Sequence, residues 1–504
     1  MKLPSNPSRL MSSKPSSPPR PKKRTSSLVI DDEPSIGKDS HLFREDRNWK
    51  FWPRERAQSW SFWSNPPHVH LEATGGSLDN PRGNTTIKKD LENLVIPKLN
   101  NLPLATTSVY LNHNYKRIRR VFGYSEKEQH LNRLPAPTPL KKVLIIGVHG
   151  FFPTKMLRPI IGEPTGTSLK FATLGESAVL EWAREREMDV EIRKIALEKE
   201  GKIFNRVDFF FDILSQNKSE IDESDFIFVC SHSQGTPVSI ILIAKLLEYG
   251  IIDGSKKIGI LGMAGINLGP FYGMDKSLFV RAYSTIENES LLELFQFQNF
   301  ESLQSRKYVE SLKTLIKNNV KLVFIGSIDD QLVPLYSSVA IHIHHPNIFR
   351  SIYIDNSTNT PDFLARILKL SCMLLNLGYS DHDVIKEISP SLPGPITGGG
   401  HSKIYNELQV YKLALDFTLQ TNSSSIAIDQ PIKLKPFDIK KLGKLSNPFN
   451  LPWCVRGLFF ETKRKLPHGD EEIDNVFKEF DCWHPNSKAL KDVKYRLNGI
   501  KAKL

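Results

Sequence analysis

The chain has 504 residues, a formal net charge of +13, 39% hydrophobic and 10% aromatic residues, and four cysteines. That length fits one large domain with extensions, or two to three domains, and the apolar content suffices for a sizeable core. No run of 18 uncharged apolar residues is present, so no helical membrane span is expected; Cys230, Cys372, Cys454 and Cys482 are scattered without a CxxC pair, which argues against a disulfide framework and a zinc site.

Charge is concentrated at the two ends. Residues 1–35 hold seven Lys/Arg against three Asp/Glu, and residues 431–504 hold sixteen against nine. Basic ends are candidates for contact with an anionic membrane surface or nucleic acid, or are simply solvated tails. Residues 1–40 are dominated by Pro, Ser, Lys and Arg and are expected to be disordered. The polar start lacks the apolar core of a secretory leader, so none is expected. Residues 42–72 carry Trp49, Trp52, Trp60 and Trp63 among basic residues, with Pro53, Pro66 and Pro67 interrupting any long helix. They read as an apolar strap over the folded body or as an interfacial segment. The first 90 residues thus form an N-terminal extension. Residues 91–139 form a packing segment that ends in the Pro-rich linker LPAPTPL, Leu134 to Leu140.

From Lys142 the pattern changes. VLIIGVHG, VEIRKIAL (190–197), FIFVCS, KIGILGMAG (257–265), KLVFIGS (321–327) and RSIYID (350–355) are apolar strand-like runs. Helical runs alternate with them, at 168–187, over FNRVDFFFDIL, after Gly235, at ESLQSRKYVESLKTLIKN, and near 361–377 and 402–420. This alternation predicts an α/β fold over 140–425, a mostly parallel sheet with helices on both faces. In such sheets ligands bind at the carboxyl ends of the strands, and His149, Ser233 and Asp330 all follow strands on that edge.

The stretch Phe226–Gly250 reads as buried strand, sharp turn and buried helix, with Ser231-His232-Ser233-Gln234-Gly235 at the turn. This is a G-x-S-x-G nucleophile elbow with Ser231 in place of the first glycine. A serine nucleophile needs a base, an acid to hold the base, and oxyanion donors. The acid is sought after a later strand, in FIGSIDDQLVP; the spacing favours Asp330, with Asp329 the alternative. The base is sought last, and His401 in ITGGGHSKIY has the order and a Gly-rich loop. His382, between two Asp residues, reads as a cap region. His342, His344 and His345 lack a partner motif for a metal and read as surface or loop. The main-chain N–H groups of Gln234 and Phe151, with Phe152 second to Phe151, are the oxyanion-hole candidates. GEPTGTS (162–168) lacks the Lys-Ser/Thr ending of a phosphate loop and reads as an ordinary connection.

Together, HGFFP after a strand, SHSQGT at an elbow, DDQLVP after a later strand and GGGHS before a helix resemble the α/β-hydrolase superfamily. Within it the chain is similar to a group of fungal lipase/esterase-like proteins that share an SHSQGTPVS elbow (here 231–239), a GGGHS segment (398–402) and a C-terminal NPF-LPW segment (447–453). The resemblance implies an α/β-hydrolase fold and a Ser233–Asp330–His401 triad without cofactor or metal. The segments 361–389 and 290–300 are read as a helical cap over the pocket. Residues 426–504 form a basic C-terminal extension; NPFNLPWCVRGLFFE, with apolar bulk and three breakers nearby, is expected to pack on the domain. The last helix carries the apolar stripe Leu490, Val493, Leu497 and Ile500.

These readings predict a serine hydrolase of carboxylic esters, with a lipid or long-chain acyl substrate. The rivals are an acyl-protein or acyl-thioester hydrolase and a catalytically silent scaffold binding a lipid or protein partner. A cytoplasmic protein is expected, with peripheral contact to an intracellular membrane or lipid droplet through the basic and aromatic extensions. No nucleic-acid partner is expected.

Overall fold

The computed structural model describes residues 92–105, 129–151, 166–274, 285–395, 399–442 and 447–501. The N-terminal strap and tail, Phe152 and much of the 162–168 connection lie outside these. Seven strands form one sheet in the order β1-β8-β6-β5-β4-β2-β3. They are β1 (Leu94–Ile96), β2 (Lys142–Val148), β3 (Glu191–Leu197), β4 (Phe226–His232), β5 (Lys257–Met263), β6 (Lys321–Ser327) and β8 (Ile348–Ile354). β7 (Ile343–His344) and β9 (Lys433–Leu434) make a small separate ladder. Every pairing in the large sheet is parallel except β1 against β8.

The central strands are apolar on both faces because both faces are covered. Val143 and Ile145 of β2, with Phe226, Phe228 and Cys230 of β4, enter one core. Leu144, Ile146, Ile227 and Val229 between them enter the other. This two-residue alternation divides the helices into two layers. On the first face lie α1 (Ser168–Arg184), α7 (Asp362–Asn376) and α8 (Leu408–Leu419), contributing Phe171, Trp182, Phe363 and Val410. On the second lie α2 (Ile203–Gln216), α4 (Gly235–Glu248) and α6 (Leu303–Lys317), contributing Phe210, Ile240 and Leu312. The shorter helices α3 (Lys218–Glu223) and α5 (Thr285–Gln296) fill in between.

Two expectations are corrected. The 361–389 segment is not a cap: α7 packs against β8 and buries Phe363, Ile367 and Leu374 in the core. α5 borders the strand ends instead; Glu293 Oε2 accepts the Ile203 N–H at the start of α2, 2.7 Å away. NPFNLPWCVRGLFFE packs on the domain, and does so as a regular helix, α9 (Asn450–Lys465). Pro452 falls in its first turn, where a missing N–H breaks no helical bond. Gly457 lies against His382, where a Cβ would come 2.4 Å from the ring. Secondly, the His342–His345 cluster is interior. His342 and His345 are buried, and His345 Nε2 bonds the Ala427 carbonyl at 2.8 Å. Burial holds His342 down to about 3 and His345 down to about 4, so both are neutral.

The C-terminal extension continues as α10 (Gly469–Cys482) and α11 (Lys488–Leu497). Val493, Leu497 and Ile500 are buried in the first core, so the stripe of the last helix serves packing.

Candidate active site

The carboxyl ends of β2, β4 and β6 bring the site together. At the end of β4 the chain turns sharply and Ser233 takes φ +54°, a left-handed conformation that costs a non-glycine residue about 1 kcal/mol or more. The turn is held from both sides: Ser233 N donates to Met263 O at 2.9 Å, and Ser233 O accepts from Thr236 N at 3.1 Å. Gly235 is required here. A Cβ on it would sit 2.4 Å from Val148 O and 2.6 Å from His149 O, so only glycine lets α4 start this close to β2. Ser231 is fully buried, and its Oγ donates to Leu261 O at 2.8 Å. The hydroxyl thereby gains a partner on β5 where a glycine would have offered none.

Asp330 and His401 are brought together, 71 residues apart in the chain. His401 Nδ1 lies 2.7 Å from Asp330 Oδ2. The other carboxylate oxygen, Oδ1, accepts the N–H groups of Leu332 and Val333 at 2.8 and 2.9 Å. Asp329 is turned elsewhere: its Oδ1 accepts from Ser327 Oγ at 2.9 Å, and burial pushes its carboxyl upward. The carbonyl of Asp329 meets Gly400, where a Cβ would be 2.5 Å away, which explains the glycine before His401.

His401 is fixed at three points. Its ring faces Asp330, its N–H donates to Gln331 Oε1 at 3.0 Å, and its carbonyl lies 2.8 Å from His232 Nε2. A carbonyl only accepts, so Nε2 of His232 carries the proton. Burial, then the neighbouring His401, holds His232 well below the usual histidine range, and it stays neutral. The two rings lie 4.5 Å apart, with Phe171 and Tyr405 closing around His232. His382 lies apart from this cluster, beside Glu461 at 3.8 Å.

The oxyanion candidates Gln234 and Phe151 sit on two adjoining segments. Gln234 immediately precedes α4, whose first N–H groups have no acceptor within the helix. Phe151 follows the loop at the end of β2 and is half-buried. Sequence reasoning missed the residue that ties these segments together. Arg206 of α2 is fully buried; its Nη1 donates to Gln234 Oε1 and its Nη2 to His149 O, both at 2.7 Å. Burial lowers it to about 9, so it remains charged at neutral pH. The available signal was its position: Ile203, Val207, Phe210 and Leu214 form the inward stripe of α2, and Arg206 falls on the same face. His149 is further pinned by Ser168 Oγ, which bonds its N–H at 2.9 Å, and by Lys199 N, which donates to its Nε2 at 3.2 Å. Nδ1 therefore carries the proton towards Gly150 O, 2.7 Å away. Among the described residues no group of three or more His, Cys, Asp or Glu is arranged to hold a metal ion.

A parallel sheet flanked by helices, a serine at a positive-φ elbow after the fifth strand in sheet order, and a carboxylate–histidine pair from later in the chain define an α/β-hydrolase fold. Residues 105–462 match the YMC0/YMC35 alpha/beta hydrolase domain, and the chain belongs to that family. Among curated proteins, none matches the chain. Among solved structures it is similar to Est1E from Butyrivibrio proteoclasticus, at 13% identity over 43% of this chain and 79% of that one, with a TM-score of 0.27. It is similar also to the phospholipase PlaB from Legionella pneumophila, at 12% identity over 40% of this chain and 45% of that one, with a TM-score of 0.27. Likeness at this level concerns the fold, and no activity is transferred from it.

Proposed function

We propose that the chain is a serine hydrolase of carboxylic esters. The observation that carries this reading is the buried Asp330–His401 hydrogen bond of 2.7 Å on the strand edge that also bears Ser233 at its strained turn. In the proposed cycle His401 accepts the Ser233 proton as Oγ attacks the acyl carbonyl. Asp330, accepting from Nδ1, keeps Nε2 of His401 as the base and stabilises the imidazolium. The N–H groups of Gln234 and Phe151 receive the developing oxyanion. Imidazolium returns the proton to the departing alkoxide. Water, deprotonated by His401, then cleaves the acyl-serine and releases the acid.

The reading extends to a lipid or long-chain acyl ester, supported by the Phe- and Leu-rich sequence around the elbow. An acyl-protein or acyl-thioester substrate would use the same atoms. All four cysteines are free, in keeping with a reducing compartment and a cytoplasmic protein. Among the described residues no helix is long and apolar enough to cross a membrane.

Fluorophosphonate labelling of wild type beside Ser233→Ala, with p-nitrophenyl esters of increasing chain length, tests the proposal. Labelling and turnover lost in the variant are expected, with a preference for longer chains. A folded wild type that takes no label would overturn the enzymatic reading in favour of a silent scaffold. Labelling that survives the substitution would show that another serine reacts.

A further inference from the structure

The outer face of α9 bears a row of aromatic side chains that the fold does not use. Phe449, just before the helix, is 70% exposed, Trp453 62% and Phe460 56%. They follow one another at four and seven residues, so they lie along one stripe, and Arg456 and Arg464 complete it. The opposite face, with Leu451, Val455, Leu458 and Thr462, is buried against the body. Large aromatics in solvent add little to the stability of the folded chain, and three in a row over about 17 Å of helix form a face without an apolar partner among the described residues.

The charges beside them indicate the partner. The Arg456 guanidinium stacks over Trp453 at 5.2 Å and that of Arg464 over Phe460 at 4.9 Å. Neither arginine is ion-paired with a carboxylate among the described residues. The helix ends in Lys463, Arg464 and Lys465. Of the carboxylates of this region, Glu472 and Glu479 of α10 hold Arg366, Glu461 lies beside His382, and Asp470 pairs with Lys463 at 2.8 Å, which leaves the two arginines of the stripe as its outward cations. α11 adds to the outer charge. Its Arg496 donates to Pro448 O at 3.1 Å, which joins the Tyr495 end of α11 (Tyr495 is 77% exposed) to the Phe449 end of α9. Lys488 and Lys491 of α11 are exposed.

We infer that this face of α9 is a docking surface for an anionic lipid bilayer. The helix lies in the plane of the membrane, its aromatic rings enter the headgroup layer and the arginines meet lipid phosphates. A protein partner fits less well. Its aromatics alternate with guanidinium groups, so it offers no continuous apolar patch for a protein surface to seal. The inference is independent of the catalytic reading, because its test needs no turnover.

Full-length protein is mixed with phosphatidylcholine vesicles with and without about 30% phosphatidylserine, and bound protein is measured by flotation. Binding to the anionic vesicles is expected, weakening as salt is raised from about 0.1 to 0.5 M. Trp453→Ala/Phe460→Ala should lower the partition coefficient about tenfold or more. Arg456→Gln/Arg464→Gln should lower it about fivefold per charge removed, on anionic vesicles only. The altered residues lie outside the core, and unchanged thermal unfolding verifies that the variants fold. Absence of binding would overturn the inference, as would binding that survives both double substitutions, which would locate the contact elsewhere in the chain. A wild-type dimer in sedimentation equilibrium that the aromatic substitutions dissociate would also overturn it, making a second copy the occupant.

Discussion

His232 Nε2 and the main-chain carbonyl of His401 lie 2.8 Å apart, so the residue before the proposed nucleophile grips the backbone of the proposed base. The elbow and the base loop come from positions 169 residues apart. This buried contact fixes their separation independently of the Asp330 bond. His232 is neutral and acts only as donor, a positioning residue rather than a participant in proton transfer.

His232→Ala should therefore leave a buried carbonyl without a donor. A stability loss of about 1–3 kcal/mol is expected. Ester turnover should fall by about 10- to 100-fold through kcat, with KM little changed, as for a misplaced base. His232→Gln, which can still donate, should recover part of the rate. Equal losses in the Ala and Gln variants would refute the positioning role.

The carboxylates of Asp329 and Asp330 are adjacent in sequence but face different partners. Asp330→Asn should lower kcat by about a thousandfold or more, since it spoils the tautomer and the imidazolium stabilisation. Asp329→Asn should keep turnover near wild type, because Asp329 Oδ1 bonds Ser327 rather than His401. Steady-state kinetics on one short ester would separate the two, and a reversed ranking would assign the acid to Asp329.

Arg206 holds His149 O and Gln234 Oε1 with one guanidinium. Arg206→Met should remove the guanidinium donor from both buried acceptors, at a cost of about 1–3 kcal/mol each in stability. It should also loosen both oxyanion segments and lower kcat by about 100-fold. Arg206→Lys, with one ammonium in place of a planar fork, reaches only one of the two and should fall in between. Labelling of Ser233 by a fluorophosphonate, which also needs the oxyanion hole, should slow in parallel. Activity untouched in a stable Arg206→Met protein would reduce Arg206 to a packing residue.

How far the sequence was legible depends on where the information lies. The six parallel strands were readable because burial on both faces writes them as unbroken apolar runs. β1 was not, since three residues carry no periodicity and the strand owes its existence to β8 beside it. The Ser233 turn was visible through the small residues that close packing demands, and His401 through its order and glycines. Asp329 and Asp330 share the same sequence context, and only the turn after β6 separates them. Arg206 and His232 escaped because a polar residue on an inward position looks like an interruption of the pattern until its partners, distant in the chain, are seen. α9 escaped for another reason: Pro452 and Gly457 read as breakers, yet one sits in the first turn and the other where a neighbouring side chain leaves no room.

The buried histidines give the fold an acid-sensitive window. His342 is held near 3 by burial first, then by Arg350 and His344, and its Nδ1 has no hydrogen-bond partner. Its folded pKa is below the unfolded value of about 6.5, so the unfolded chain binds the proton more readily between pH 6.5 and 3. Stability from this residue is complete above pH 6.5 and is lost as pH falls, by about 1.4 kcal/mol per pH unit per histidine. His149 and His232, also depressed by burial, act in the same direction. His342→Leu should keep the contact with Phe300, whose ring now lies 5.7 Å from the imidazole. It should cost little at pH 7.5 while removing up to one proton from the acid dependence. Thermal or urea unfolding at pH 7.5, 6.5 and 5.5 would check this. A slope identical to wild type would mean that His342 binds no extra proton on unfolding, and that its burial contributes nothing to acid sensitivity.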